Sequence, residues 1–124
     1  MSKILIVDDS GLARRTLRQM LEAMGHSVEE ALDGNEALER YFMNQHDLIL
    51  LDIVMQGMFG IEVLQKIREL NPNVRVIMAT ADIQTATREE ARSAGAAALI
   101  NKPFKRDELE RVVTHVLKGG MTWN

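Results

Sequence analysis

Ile4-Leu5-Ile6-Val7, running straight into Asp8-Asp9-Ser10, is the stretch on which the reading of this chain turns. Four apolar residues in succession, rather than alternating with polar ones, describe a strand buried on both faces, the habit of parallel sheets sandwiched between helices. Leu48-Ile49-Leu50-Leu51, Val74-Arg75-Val76-Ile77-Met78 and Ala96-Ala97-Ala98-Leu99-Ile100 read as further strands, and Ser27 to Ala31 makes a weaker fifth suited to a sheet edge.

Between these runs the apolar residues take helical spacing. Leu12, Leu17, Met20, Leu21 and Met24 precede Gly25, a residue suited to a helix C′ position. Asp33 and Glu36 have the spacing of a capping box, and Ala37, Leu38, Tyr41 and Phe42 follow as an apolar stripe. A third helix, from about Ile61 to Leu70, stops at Asn71-Pro72, because proline disfavours helix in the residue before it. The fourth runs roughly from Thr85 to Ala94 and ends at Gly95. The fifth follows Pro103, turns Leu109, Val112, Val113, Val116 and Leu117 inward and stops before Gly119-Gly120. The order βαβαβαβαβα predicts an α/β fold, a five-stranded parallel sheet with right-handed crossovers in a three-layer, doubly wound sandwich.

The 124 residues suit one domain, with a core from about residue 3 to 118 and a short tail from 119 to 124. Fifteen basic and 18 acidic residues are mixed along the chain, so no broad basic surface for nucleic acid or anionic lipid is expected. The absence of cysteine excludes disulfides and thiolate metal sites. The opening apolar run is too short for a signal-peptide core or a membrane span, which points to a cytoplasmic protein without membrane insertion.

In sheets of this kind ligands bind beyond the carboxyl ends of the strands, near the point where strand order reverses. Asp8 and Asp9 follow the first strand, Asp52 ends the third, Thr80 follows the fourth and Lys102 the fifth. All fall on one rim. Three carboxylates beside a hydroxyl and an ammonium suit a hard divalent cation, Mg²⁺ above all. Taken singly each residue has an ordinary reading: Asp8 and Asp9 as helix-capping acids, Asp52 as a loop acid, Thr80 and Lys102 as surface residues. Their joint placement at the ends of the right strands is what argues for chemistry. His26, His46 and His115 share no ligand spacing and are expected in surface or capping roles.

The stretches Ile4-Leu5-Ile6-Val7-Asp8-Asp9-Ser10, Leu50-Leu51-Asp52-Ile53-Val54-Met55, Ala79-Thr80-Ala81 and Asn101-Lys102-Pro103-Phe104 together resemble response-regulator receiver domains, most of all the chemotaxis-type single-domain ones. The resemblance covers Lys3 to about Lys118 and implies a flavodoxin-like (βα)5 fold of strand order 2-1-3-4-5. It further implies Asp52 as phosphoacceptor, Mg²⁺ held by Asp8, Asp9, Asp52 and the carbonyl of Val54, Thr80 and Lys102 as phosphoryl contacts, and a cis Lys102-Pro103 bond. A histidine kinase is the implied donor partner, and the chain itself is expected to be a monomer or weak dimer. A partner surface is expected on the fourth helix, fifth strand and fifth helix, where Arg88, Arg92, Lys105 and Arg106 can be exposed.

Three departures from the family pattern stand out. Many receivers carry an aromatic residue three positions before the lysine, where this chain has Leu99, so either a leucine rotamer change or helix and loop shifts alone must serve the switch. The loop Met55-Gln56-Gly57-Met58-Phe59-Gly60 lacks the usual proline and should be looser, and Phe59 is expected to pack against the third helix. Val54 and Asp82 stand where residues flank the path of an attacking water; Val54 should shield the phosphorus and Asp82 orient water or cap the fourth helix. Two competing readings are an aspartyl-phosphate phosphohydrolase, for which no second acid or cap is evident, and a phosphorylation-independent scaffold of the same fold.

Overall fold

The computed structural model describes residues 2–55, 59–81 and 85–123, with the side chains of Thr85 and Ala86 excepted. Among the described residues ten elements alternate: β1 (Lys3–Val7), α1 (Gly11–Ala23), β2 (Ser27–Ala31), α2 (Gly34–Asn44), β3 (Leu48–Asp52), α3 (Gly60–Leu70), β4 (Val76–Thr80), α4 (Thr85–Ser93), β5 (Ala98–Asn101) and α5 (Arg106–Leu117). The strands form one parallel sheet of order β2-β1-β3-β4-β5. Strand order therefore reverses at β1, between β2 and β3.

The unbroken apolar runs are explained by two separate core layers. Leu5, Val7, Ile49, Leu51, Val76 and Met78 face a layer closed by Ala37 and Tyr41 of α2, by Val63, Leu64 and Ile67 of α3, and by Ala91 of α4. The intervening Ile4, Ile6, Leu48, Leu50, Ile77 and Ile100 face the other side, closed by Leu17 and Leu21 of α1 and by Leu109, Val112, Val113 and Val116 of α5. Successive residues of a strand point to opposite faces, so covering both faces requires apolar residues at every position. At the edge, β2 instead carries charge. Glu30 pairs with Arg14 and Arg18, and Glu29 with Arg40, which discourages another strand from adding there.

Several sequence expectations shift once packing is seen. The fourth strand begins at Val76, not Val74, because Val74 closes the turn after Pro72 through its N–H to the Asn71 carbonyl, and pairing with β5 carries the strand on to Thr80, opposite Asn101. The fifth begins at Ala98, not Ala96; the N–H of Ala96 closes the end of α4 on the Ala91 carbonyl around Gly95, whose φ of 98° is left-handed. Phe42 and Leu12, placed on inward stripes, are 70% and 71% exposed. Phe42 lies about 100° round the helix from the buried Tyr41 and so falls off the sheet-facing side. His46 is buried, not superficial: its Nε2 meets Glu29 Oε1 at 2.6 Å and its ring stacks on Tyr41. The capping-box reading holds at Asp33, whose carboxylate accepts from the Glu36 N–H at 2.8 Å, although Glu36 reaches back to the N–H of Leu32. Lys102-Pro103 is cis.

One glycine is dictated by the sheet. A Cβ on Gly60, the first residue of α3, would run into the carbonyl of Asp52 and lie 2.9 Å from the Ile53 Cα, both backbone atoms that cannot swing away. Gly60 thus lets α3 start in contact with the end of β3. Gly11, the first residue of α1, has only a flexible arginine end within 3.6 Å of such a Cβ. Gly60→Ala should therefore lower stability by about 1–3 kcal/mol in denaturant unfolding, whereas Gly11→Ala should be neutral or slightly stabilising. Equal effects of the two substitutions would refute the close-approach account.

Candidate functional site

The carboxyl ends of β1, β3, β4 and β5 bring Asp8, Asp52, Thr80 and Lys102 to one rim, beside the point of strand reversal. Asp8, Asp52 and Thr80 are buried, while Asp9 is exposed, so the two neighbouring acids differ in environment. Backbone bonds hold the strand ends in place. The N–H of Asp8 donates to the Ala31 carbonyl at 3.2 Å, Ile53 to Ala79 at 3.0 Å, and Lys102 to Thr80 at 2.8 Å.

The Lys102 ammonium is the centre of the arrangement. Its Nζ donates to Asp8 Oδ2 at 2.7 Å and lies 3.4 Å from Asp52 Oδ2. Asp8 Oδ1 accepts in addition from the Ser10 N–H at 2.9 Å, and Asp52 Oδ1 from the Val54 N–H at 3.4 Å. Arg14, which inspection of the sequence passed over, donates from Nη1 to the carbonyl of Asp8 at 2.7 Å and from Nε to Glu30, tying α1 to the end of β1. Its signal was available: Ser10 is the N-cap of α1, accepting from the Ala13 N–H, and Arg14 sits one turn further on.

Burial, then the charge of Asp8, push the Asp52 carboxyl up to about 6, against the opposing pull of Lys102 and the Val54 N–H. Burial works against the Lys102 ammonium, but its bonds to Asp8 and the charge of Asp52 outweigh that and hold its pKa above the usual value. The ligand oxygens of Asp8, Asp9 and Asp52 all lie within 4.8 Å of one another. An all-oxygen set of three carboxylates fits a hard divalent cation such as Mg²⁺, whose charge would offset the repulsion that Asp8 exerts on Asp52.

Beside Lys102 a largely apolar hollow of about 410 Å³ opens between Leu12, Ala13 and Thr16 of α1 and Pro103-Phe104, with Ala81 on its wall. On the other flank Val54 and Phe59 are 61% and 59% exposed. Phe59 is the N-cap of α3 without a side-chain bond, and its ring is therefore a surface feature rather than the packing residue expected from its position. Gln56, Gly57, Met58 and Asp82 lie outside the described residues.

Comparison with known proteins agrees with this geometry. The model of the family described as response regulator receiver domain matches residues 4–114. The chain is 36% identical to the chemotaxis protein CheY of Halobacterium salinarum, over 93% of this chain and 96% of that one. It is 40% identical to the transcriptional regulatory protein ResD of Bacillus subtilis over 94% of its own length, but spans only about half (48%) of that relative. A CheY-like receiver domain protein from Methanospirillum hungatei superposes with a TM-score of 0.91 at 32% identity, covering 96% of this chain and 95% of that one. No helix among the described residues is long and apolar enough to cross a membrane. With the sheet order, the rim of acids, threonine and lysine, and the match over residues 4–114 in agreement, the chain belongs to the response regulator receiver domain family.

Proposed function

We propose that this receiver domain, core 3–118, is a cytoplasmic switch that takes a phosphoryl group on Asp52 from the phosphohistidine of a histidine kinase and answers by changing a protein-binding surface. The observation that carries the reading is the Lys102 ammonium set between two buried carboxylates, 2.7 Å from Asp8 and 3.4 Å from Asp52. Attack by an Asp52 oxygen forms the P–O bond as the P–N bond to the donor imidazole breaks; the leaving ring nitrogen takes its proton from solvent. A carboxylate is a weak nucleophile, so transfer depends on in-line placement and on cancelling charge over the phosphoryl oxygens. Lys102 supplies one such charge. Asp8, Asp9, Asp52 and the Val54 carbonyl would hold Mg²⁺, which when bound supplies the rest. Receiver domains are signalling switches, and this one assists its own phosphorylation without turning over a metabolite.

The acyl phosphate adds about −1.5 to −2 charge and three strong acceptors where Asp52 was. Thr80, at the end of β4, is the hydroxyl that would move to meet them, and α4, β5 and α5 are the elements hung from that strand end. The apolar hollow beside Lys102 suits a donor helix carrying the phosphohistidine, with Leu12 and Phe104 as its contacts and Ala81 leaving room. Val54, exposed and apolar, offers an attacking water no hydrogen-bond partner, which favours a moderate to slow loss of the phosphoryl group.

Incubation with acetyl phosphate and Mg²⁺ should add one base-labile phosphoryl group to the wild type and none to Asp52→Asn; retained labelling of the variant at wild-type stoichiometry would sink the assignment. The same variant reports on the buried charge. Because folding raises the Asp52 pKa from 3.8 to about 6, ionisation of Asp52 opposes folding, and its contribution to stability falls as pH rises through that window. In Mg²⁺-free buffer the thermal midpoint of Asp52→Asn should therefore move increasingly above that of the wild type between pH 4 and 7; a constant difference would contradict the raised pKa. Lys102→Ala should depress phosphoryl transfer more deeply than Thr80→Ala, which should chiefly lose the response of the partner surface. Equal loss of transfer in the two variants would remove the switch role from Thr80.

A further inference from the structure

The residues after α5 do not trail away from the fold. Gly119, with φ 93°, turns the chain back, and Gly120 passes so close over the His115 ring that a Cβ there would displace that ring. From there four hydrogen bonds tie the segment down: Gly120 N–H to the His115 carbonyl at 3.0 Å, His115 Nε2 with the Met121 carbonyl at 3.2 Å, Thr122 N–H to the Ala97 carbonyl at 3.0 Å, and Trp123 Nε1–H to the Ala96 carbonyl at 2.7 Å. Trp123 packs against the core layer shared by α2, α3 and α4, and the Arg88 guanidinium of α4 stands 5.7 Å from the centre of its ring. Chain ends fray unless tied down, and this one is tied to α5, to the turn entering β5 and to α4.

The segment thus crosses the α4–β5–α5 face, with Met121 and Thr122 beside Leu99, the position where receivers often carry an aromatic ring. Its cover is not sealed: a cleft of about 560 Å³ remains between it and the Glu108, Arg111 and His115 side chains of α5. A strap held by few contacts over unfilled space can open locally. Arg88 lies in the first turn of α4, joined by one short connection to Thr80, and the N–H of Lys102 is bonded to the Thr80 carbonyl at the other side of β4.

We propose that residues 119–123 form an intramolecular latch on the α4–β5–α5 face, clamped by Arg88 on Trp123, that must open before a partner seats there. The latch rests on the phosphoacceptor reading for its control: a shift of Thr80 toward a phosphorylated Asp52 pulls on the start of α4 and loosens the clamp. Coupling of this kind is reciprocal, so an opened latch must in turn favour the phosphorylated state.

Trp123 is the only tryptophan, which makes its emission a direct reporter of the latch. In the full chain, acetyl phosphate with Mg²⁺ should shift that emission to the red and raise its quenching by acrylamide. Arg88→Ala should do so without any donor, raising the open fraction by about two- to fivefold, the worth of an exposed cation–π contact. The same variant should be phosphorylated to a larger fraction at limiting donor, whereas Glu89→Ala, exposed on the same helix, should change neither readout. Phosphate incorporation is counted by mass spectrometry on the same samples, which separates the two failures. Full incorporation with unchanged Trp123 emission overturns the latch and spares the phosphoacceptor site; no incorporation overturns that site and the control of the latch with it. Arg88→Ala with wild-type quenching overturns the clamp.

Discussion

The ammonium of Lys102, 94 residues along the chain from Asp8, is the interaction on which the rest of the molecule turns. Two carboxylates buried side by side repel one another, and a cation set between them offsets that repulsion. Supplying that cation from the far end of the chain requires β5 beside β4, β4 beside β3 and β3 beside β1, which is the observed order. A buried ion pair adds little to stability, yet removing one partner leaves an uncompensated charge and costs about 3–5 kcal/mol. The cluster is therefore better understood as a site that the sheet is arranged to hold than as a fastening for the sheet. Burial, and after it the charge of Asp8, push Asp52 up to about 6 in spite of the opposing pull of Lys102.

Much of the fold was legible because both faces of the sheet are covered. Ile4-Leu5-Ile6-Val7 and Leu48-Ile49-Leu50-Leu51 could be read as buried parallel strands from the lack of alternation alone, and the order of elements followed. Strand ends were less legible where a turn uses the same residue types. Ala96 looks like strand but closes α4 on the Ala91 carbonyl, and Val74 looks like strand but closes the turn after Pro72. Side-chain orientation failed at Leu12 and Phe42 for a different reason. A helix stripe is defined by what it packs on, and both residues stand at the margin of theirs, where only the tertiary arrangement decides. His46 went unrecognised because its partner, Glu29, lies 17 residues earlier on the edge strand.

The site residues were legible as a set for the opposite reason: each is a polar residue placed directly after an apolar run, where a sheet must end. What spacing alone could not supply was the division of labour. Asp8 is buried and bonded to Lys102, while Asp9 is exposed. Nor did spacing reveal Gly60, whose missing side chain lets α3 touch the end of β3, or Arg14, which braces the carbonyl of Asp8. The residues beyond α5 were read as a tail, yet Trp123 and Thr122 are bonded to the turn that leads into β5. Two glycines after a helix announce its end, and nothing in them says where the chain goes next.

The proposed phosphoacceptor role of Asp52 is tested most directly by locating the atom that accepts a phosphoryl group. Borohydride converts an aspartyl phosphate to homoserine, so reduction of the protein after reaction with acetyl phosphate and Mg²⁺, followed by peptide mass mapping, locates the acceptor. Homoserine at position 52, dependent on Mg²⁺ and on donor, is the predicted result. Homoserine at position 8 or 9 with Asp52 unchanged would contradict it.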